Sequence, residues 1–144
     1  MRSTVQFMLT CALMLLFSYA AVSKLSDISL FRAQLYLQPF PHGLADVLVP
    51  AIPAFEILTI GLLFLERTRR SGLWLSLALM TTFTAYIALM FLIQHDHLPC
   101  SCGGILNRMP WHVHLIFNFC FVVASFTAIW LDRRGRTQGG DRIT

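Results

Sequence analysis

Charged side chains are scarce in this sequence. Its 144 residues include only 7 acidic residues and 11 lysines and arginines, 12% in total, whereas 56% of the residues are hydrophobic. Soluble globular domains carry about 25% charged residues, so the composition excludes a water-soluble globular protein. The chain is also too short for a second domain of ordinary size. We therefore expect a single membrane domain over residues 1–144.

The apolar residues are concentrated in four long blocks. Each block is about 20 residues long, which is the length of helix that crosses the hydrocarbon core of a bilayer. The alternating pattern of a membrane β-barrel strand is absent. Because only helices and closed barrels satisfy every backbone hydrogen bond in lipid, the predicted fold class is all-α, an integral membrane four-helix bundle. The blocks run over residues 5–22, 46–65, 72–93 and 112–131.

Basic residues are distributed unequally between the two sides of this bundle. Eight lie at the two termini or in the loop at 66–71, and three lie in the other two loops. The positive-inside rule then places both termini in the cytoplasm and the loops at 23–45 and 94–111 outside. This rule explains the net charge without a nucleic-acid partner. A cleavable signal peptide is the alternative interpretation of the first block, and residues 132–144 are expected to form a disordered cytoplasmic tail.

The first outward loop contains a short amphipathic segment. Its apolar residues Ile28, Phe31 and Leu35 recur at helical spacing. Pro39 and Pro41 follow and would end a helix. The pattern predicts a short helix that lies at the outer surface of the membrane.

The second outward loop contains two cysteines one residue apart, Cys100 and Cys102. A disulfide between them would close a very small, strained ring, and strained disulfides exchange readily. On the oxidising side of a membrane, the motif predicts a thiol–disulfide exchange site with both cysteines as catalytic residues, and His95 or His97 would favour the thiolate. Two alternatives stay open: a disulfide that only braces the loop, and a zinc or copper site with these four side chains as ligands.

Two further cysteines lie in the apolar blocks, Cys11 in the first and Cys120 in the fourth. Both are interpreted as small interior residues.

One carboxylate, Glu56, lies inside the second apolar block. A residue about ten positions into a helix is about 15 Å deep, and an ionisable group at that depth indicates a functional site or a buried ion pair. Lys24 is the candidate partner if its side chain extends inward. Tyr86 and Asn118 fall at similar depths on the third and fourth helices. If these four residues converge, they form a polar pocket for a proton or a quinone. For Tyr86 and Asn118, interhelical hydrogen bonding is the alternative role.

Five segments of the sequence form a pattern that is found in one family. They are Ser23–Asp27 with Phe31–Arg32, Val49–Glu56, Thr84–Tyr86, Pro99–Gly104, and Trp111–His112 with Asn118. In order and spacing they resemble the DoxX-like proteins, and in particular the branch of the methylamine-utilisation protein MauE, over about residues 19–131. One departure is Phe117, since family members often carry an arginine directly before the asparagine.

The resemblance implies a redox-associated protein of the bacterial inner membrane. Such a protein works with a periplasmic thioredoxin-like partner in disulfide formation or maturation of a secreted protein, and a quinone is a candidate cofactor. This is the leading hypothesis for the chain. The alternatives are a non-catalytic membrane subunit or assembly factor, whose cysteine pair is structural, and a metal-handling membrane protein.

Overall fold

The architecture is entirely helical in the part of the chain that the structure, a computed structural model, describes. That part comprises residues 2–39, 41–94 and 111–140. Four of its helices are long and apolar enough to cross a membrane, and a shorter one lies between the first two. The helices are α1 (Arg2–Ser26), α2 (Ile28–Tyr36), α3 (His42–Phe64), α4 (Arg69–Gln94) and α5 (Trp111–Gly140).

The surface of the bundle is that of a membrane protein. Large apolar side chains such as Leu15, Phe64 and Leu92 point away from the other helices and are 71% to 72% exposed. Exposed apolar side chains occur along all four long helices. A continuous apolar surface of this kind suits lipid tails and not water, so the predicted four-helix integral membrane bundle is confirmed.

The four long helices are arranged as a ring. α1 and α4 each pack against both α3 and α5, so α3 and α5 lie on opposite sides of the interior. Small and apolar side chains from all four helices fill the half of the ring that contains the start of α1 and the end of α5. These buried residues are Leu13, Phe17, Leu63, Leu73, Met80, Ala128 and Ile129.

The short helix α2 covers the other end of the ring. Asp27 caps its first turn, because the carboxylate accepts a hydrogen bond from the backbone N–H of Leu30 at 2.9 Å. The buried face of α2 packs on the first turns of α3, where Phe31 and Leu35 contact Ala45 and neighbouring residues. We call this end the outer end, since the positive-inside rule assigns it to the outside. The predicted short helix is confirmed, although Ile28 is exposed.

The opposite end is closed by a tight connection between α3 and α4. Thr68 donates a hydrogen bond from Oγ1 to the carbonyl oxygen of Leu62 at 3.0 Å. Gly72 then passes so close to α3 that a Cβ atom there would lie 2.8 Å from the backbone nitrogen of Leu63. Glycine is needed here because of this close approach of two helices and not because of an unusual backbone angle.

The helices extend beyond the predicted apolar blocks. α3 begins at His42, four residues before its block, and runs through Pro50 and Pro53. α5 continues through Gly140, where a disordered tail was expected, and residues 141–144 lie outside the described part. Extending an existing helix costs little free energy, because each added residue gains a hydrogen bond. The guanidinium of Arg134 also stacks on the ring of Trp130, one turn earlier, at 3.8 Å from the ring centre. Hydropathy marks only the part of a helix that lies in lipid.

Candidate functional site

The outer half of the ring contains a buried ion pair between α1 and α3. The Nζ atom of Lys24 lies 2.8 Å from Oε1 of Glu56, and the two side chains are only 4% and 2% exposed. From the sequence alone, Glu56 has two possible roles, in a functional site or in a pair with Lys24. In the structure, Glu56 forms an ion pair with Lys24. Lys24 contacts Glu56 although its Cα lies in the last turn of α1.

The direction of helical side chains explains how this contact forms. Side chains of a helix point towards its N-terminus, so Lys24 extends back along α1 into the membrane, and its Nζ also donates to the carbonyl oxygen of Ala20 at 3.3 Å. α3 runs in the opposite direction, so Glu56 extends towards the outer end. The ring of Phe31 from α2 completes the surroundings, with its centroid 5.8 Å from Nζ. The ion pair therefore lies below α2, within the membrane.

Only one oxygen of the Glu56 carboxylate is used in this arrangement. Oε1 accepts from Lys24, whereas Oε2 is buried and has no hydrogen-bond partner among the residues that the structure describes. Burying an ion pair is costly unless the remaining lone pairs are also satisfied. The pair is electrically neutral as a whole, yet it retains one hydrogen-bond acceptor inside the protein.

Tyr86 takes part in a second polar contact, between α4 and the end of α2. Its hydroxyl donates a hydrogen bond to Oε1 of Gln38, and Nε2 of Gln38 donates to the carbonyl oxygen of Gln34 at 3.2 Å. Both glutamines are buried. Neither glutamine was predicted from the sequence as part of the site. Their positions three residues after Phe31 and Leu35 continue the inner face of α2 and were the signal that could have found them.

Asn118 lies on the interior face of α5, one turn after His114, and both side chains are buried. The Nδ2 atom of Asn118 has no hydrogen-bond partner in the described ranges. His112, two residues before His114, is exposed. The two histidines of this His-x-His sequence therefore face different surroundings, and only His114 belongs to the interior.

The predicted exchange cysteines Cys100 and Cys102 lie outside the described residues, as do His95 and His97. The helices on either side are described: α4 ends at Gln94, and α5 begins at Trp111. Within residues 2–39, 41–94 and 111–140, no three His, Cys, Asp or Glu side chains lie close enough to hold a metal ion. The alternative metal site falls on the segment between α4 and α5.

The two remaining cysteines are not both interior residues. Cys11 is half-buried, and Cys120 is exposed on α5. The interpretation of Cys120 as a buried small residue is therefore wrong. In lipid an apolar residue is as well accommodated on the outer face of a helix as on the inner one, so its position within an apolar block does not show which way it faces.

The exposed side of α2 carries a set of polar contacts that face solvent. The hydroxyl of Tyr36 donates to Oδ1 of Asp46 at 2.5 Å, and this bond raises the pKa of the Tyr36 phenol above its usual value. Arg32 lies 3.9 Å from the same carboxylate. At the start of α2, the hydrogen bonds from Leu30 N–H and Ser29 Oγ–H lower the pKa of Asp27.

The inner end of the bundle is held by contacts to α5. Nε2 of Gln6 on α1 donates to Oδ1 of Asp132 at 3.2 Å. The guanidinium of Arg133 lies 5.4 Å from the ring centre of Trp74. Tryptophan and arginine are typical of the membrane–water interface. These contacts therefore mark the level of the membrane surface at this end of the bundle.

Comparison with known proteins connects the chain to one family. The family described as methylamine utilisation protein MauE matches residues 2–131, which is most of the chain. No curated protein and no solved structure matches. The match covers α1 to α4, α5 as far as residue 131, and the segment with the two neighbouring cysteines. The chain is a multi-pass membrane protein that belongs to the MauE family of methylamine utilisation proteins.

Proposed function

We propose that this chain is a membrane redox protein that takes part in thiol–disulfide exchange on the outer side of the bacterial inner membrane. Cys100 and Cys102 carry the exchange, and the partner is a periplasmic thioredoxin-like protein that serves the maturation of a secreted protein. The observation that carries the proposal is the Cys-Ser-Cys sequence, followed by two glycines, in an outward segment of a MauE-family chain.

The described helices support this location. α4 ends at the end of the ring that carries α2, because Tyr86 near the end of α4 contacts Gln38 just after α2. α5 begins at that end, because its later part contacts the start of α1 at the opposite end, through Asp132 and Gln6. The segment with the cysteines joins those two helix ends. Charge distribution assigns the same end to the outside, where disulfides persist.

The proposed exchange is balanced without a further reactant. A thiolate of the partner attacks one sulfur of the Cys100–Cys102 disulfide, and the other sulfur leaves as a thiolate. The second thiol of the partner then attacks the mixed disulfide and releases the first cysteine. The partner has lost two electrons and its two thiol protons, and the cysteine pair has gained both. The strained ring of a Cys-x-Cys disulfide favours this direction.

A trapping experiment tests the proposal. The chain with Cys102→Ser, in a background of Cys11→Ser and Cys120→Ser, keeps one thiol, Cys100, whose thiolate can attack the disulfide of the oxidised partner in the reverse of the exchange. Without Cys102 the resulting mixed disulfide cannot proceed to a Cys100–Cys102 disulfide. We expect a partner linked through Cys100 on a non-reducing gel, released by reductant. The matched control is the same background with Cys100→Ser added, which should capture nothing.

Two other results would contradict the proposed thiol exchange. If no protein is captured, and if a Cys100→Ser/Cys102→Ser variant supports full growth on methylamine, thiol exchange is refuted. Loss of growth after changes on the exposed side of α2, with both cysteines dispensable, would instead identify a non-catalytic subunit or assembly factor.

A further inference from the structure

Glu56 on α3 and Asn118 on α5 each have a buried polar atom in the outer half of the ring without a hydrogen-bond partner among the described residues. We propose that Oε2 of Glu56 and Nδ2 of Asn118 are the two ends of a binding site for a small, neutral, lipid-soluble molecule with a hydroxyl donor at one edge and an oxygen acceptor at the other, which is the pattern of a hydroquinone headgroup. The site uses no cysteine, so it stands or falls separately from the thiol exchange proposed above.

The first observation is the state of the two atoms. Glu56 is 1% exposed and Asn118 is 5% exposed, and neither Oε2 nor Nδ2 has a hydrogen-bond partner within the described ranges. Buried polar groups in folded proteins are nearly always paired, and leaving one unpaired costs free energy. An unpaired acceptor and an unpaired donor that both lie in the outer half of the ring therefore favour a ligand that supplies one of each.

The second observation is their depth, which follows from the register of α1 against α5. The hydrogen bond between Gln6 and Asp132 places these residues at one level. Fourteen residues further out on each helix, about 21 Å at the helical rise, lie Ala20 and Asn118. The carbonyl oxygen of Ala20 accepts from the same Lys24 nitrogen that contacts Glu56. The carboxylate and the amide are therefore at nearly the same depth.

The contacts of α4 give the relative depth of Glu56 and Asn118 a second time, and the result agrees with the first to within one helical turn. Gly72 touches α3 at Leu63, seven residues inward of Glu56. Ser76, one turn outward of Gly72, contacts Ser125 at 3.0 Å, and Asn118 lies seven residues outward of Ser125. The Cα atoms of Glu56 and Asn118 then differ in height by about 6 Å. Since α3 and α5 lie on opposite sides of the ring, the two groups face each other across the interior.

The chemistry of the two ends selects the ligand. A carboxylate oxygen only accepts, and an amide nitrogen only donates, so the molecule must donate at one end and accept at the other. It must be neutral, because Lys24 already balances the charge of Glu56. It must enter from lipid or fit among apolar groups, since Phe31, Ile87 and Met90 are buried in this half of the bundle. A hydroquinone meets all three conditions, whereas the oxidised quinone lacks the donor for Glu56.

Binding to the purified full-length chain in detergent tests the proposal. The probe is a short-tailed benzohydroquinone with a decyl chain, under nitrogen, together with its oxidised form. We expect the reduced form to bind at least tenfold more tightly, because only it can donate to a carboxylate. Isothermal titration calorimetry gives both affinities, and the shift of the thermal midpoint on addition of probe provides a second readout.

Two variants and a control separate the site from a purely structural effect. Asn118→Leu should lose at least tenfold in affinity for both forms, yet its thermal midpoint without probe should be unchanged or higher, because an unpaired amide nitrogen has been removed. The double variant Lys24→Met/Glu56→Leu should lose the preference for the reduced form. Ser125→Ala, on the same interior face of α5, should bind as the unmodified chain does, and so should Cys100→Ser/Cys102→Ser.

The proposal is overturned by either of two results. One is that the unmodified chain binds neither form up to the solubility of the probe. The other is that Asn118→Leu binds both forms with unchanged affinity. Either result would indicate that Oε2 of Glu56 and Nδ2 of Asn118 are hydrogen-bonded to water and not to a ligand. Neither result bears on the thiol exchange, whose test depends on Cys100.

Discussion

Removing one member of the Lys24–Glu56 pair should destabilise the protein strongly, and removing both should not. The pair is direct, at 2.8 Å, and its side chains are 4% and 2% exposed. Neither charge can reach water when its partner is lost. Removing one partner of a buried ion pair costs about 3–5 kcal/mol, whereas exchanging both for apolar residues of similar volume is often neutral or stabilising. We therefore expect a coupling energy of about 6 kcal/mol or more between the two positions.

The assay is equilibrium unfolding of the purified chain in mixed micelles of increasing SDS content, followed by circular dichroism. Lys24→Met and Glu56→Leu are measured singly and together. Each single variant should lower the free energy of unfolding by about 3–5 kcal/mol, and the double variant should lie near the unmodified chain. The double-mutant cycle isolates the interaction from the packing effects of each substitution.

The exposed ion pair between Arg32 and Asp46 is the matched control. It also links two helices, α2 and α3, but its atoms are 3.9 Å apart and both side chains are 53% exposed. Surface pairs contribute about 0–1 kcal/mol, so Arg32→Met and Asp46→Asn should each have a small effect. Small and additive effects at Lys24 and Glu56, equal to those of this control, would refute the argument that the buried pair holds α1 against α3.

Three further predictions follow from local geometry. Gly72→Ala should lower the free energy of unfolding by about 1–3 kcal/mol in the same SDS assay, since its Cβ would lie 2.8 Å from the backbone nitrogen of Leu63. Tyr86→Phe should cost about 0.5–1.5 kcal/mol through loss of the hydrogen bond to Gln38. The cap of α2 should depend on pH: the pKa of Asp27 is lowered in the folded state, so its stabilisation is complete above the ordinary aspartate pKa and is lost as the pH falls through the lowered value. A carboxyl carbon NMR titration of Asp27 measures that value.

Each of these has its own control. Gly61→Ala should not destabilise the helix, because no atom lies within 4 Å of a Cβ built there; equal losses at Gly61 and Gly72 would show that close approach is not the cause. A Tyr86→Phe variant as stable as the unmodified chain would mean that water replaces the lost contact. Asp27→Asn should retain the cap without its dependence on pH, and an Asp27 that titrates at the ordinary aspartate value would contradict the cap.

Much of the membrane architecture was predictable from the sequence. All four apolar blocks lie within long helices, except that the block ending at Leu65 extends one residue past α3. The short helix of the first outward loop follows Asp27 as its pattern indicates. Both features depend on residues that are contiguous or one turn apart, so the sequence displays them directly.

The candidate site was predictable only in part. Glu56 was identified because a carboxylate is conspicuous in an apolar block, and Lys24 was its only basic neighbour at the outer end of α1. Gln34 and Gln38 were missed because glutamine in a surface loop is ordinary until a neighbouring helix covers it. The different environments of His112 and His114 depend on the rotation of α5, which nothing in its apolar pattern reveals.

The sequence by itself determined how many helices cross the membrane, because hydropathy and length are properties of consecutive residues. Its scarce charges also predict which end carries the cysteine pair. Only the tertiary structure decided which polar groups meet inside, because lipid accepts apolar residues on every face of a helix and thus leaves rotation and register unmarked. Packing of α1, α3 and α5 brings Lys24 to Glu56 and places Asn118 at nearly the same depth.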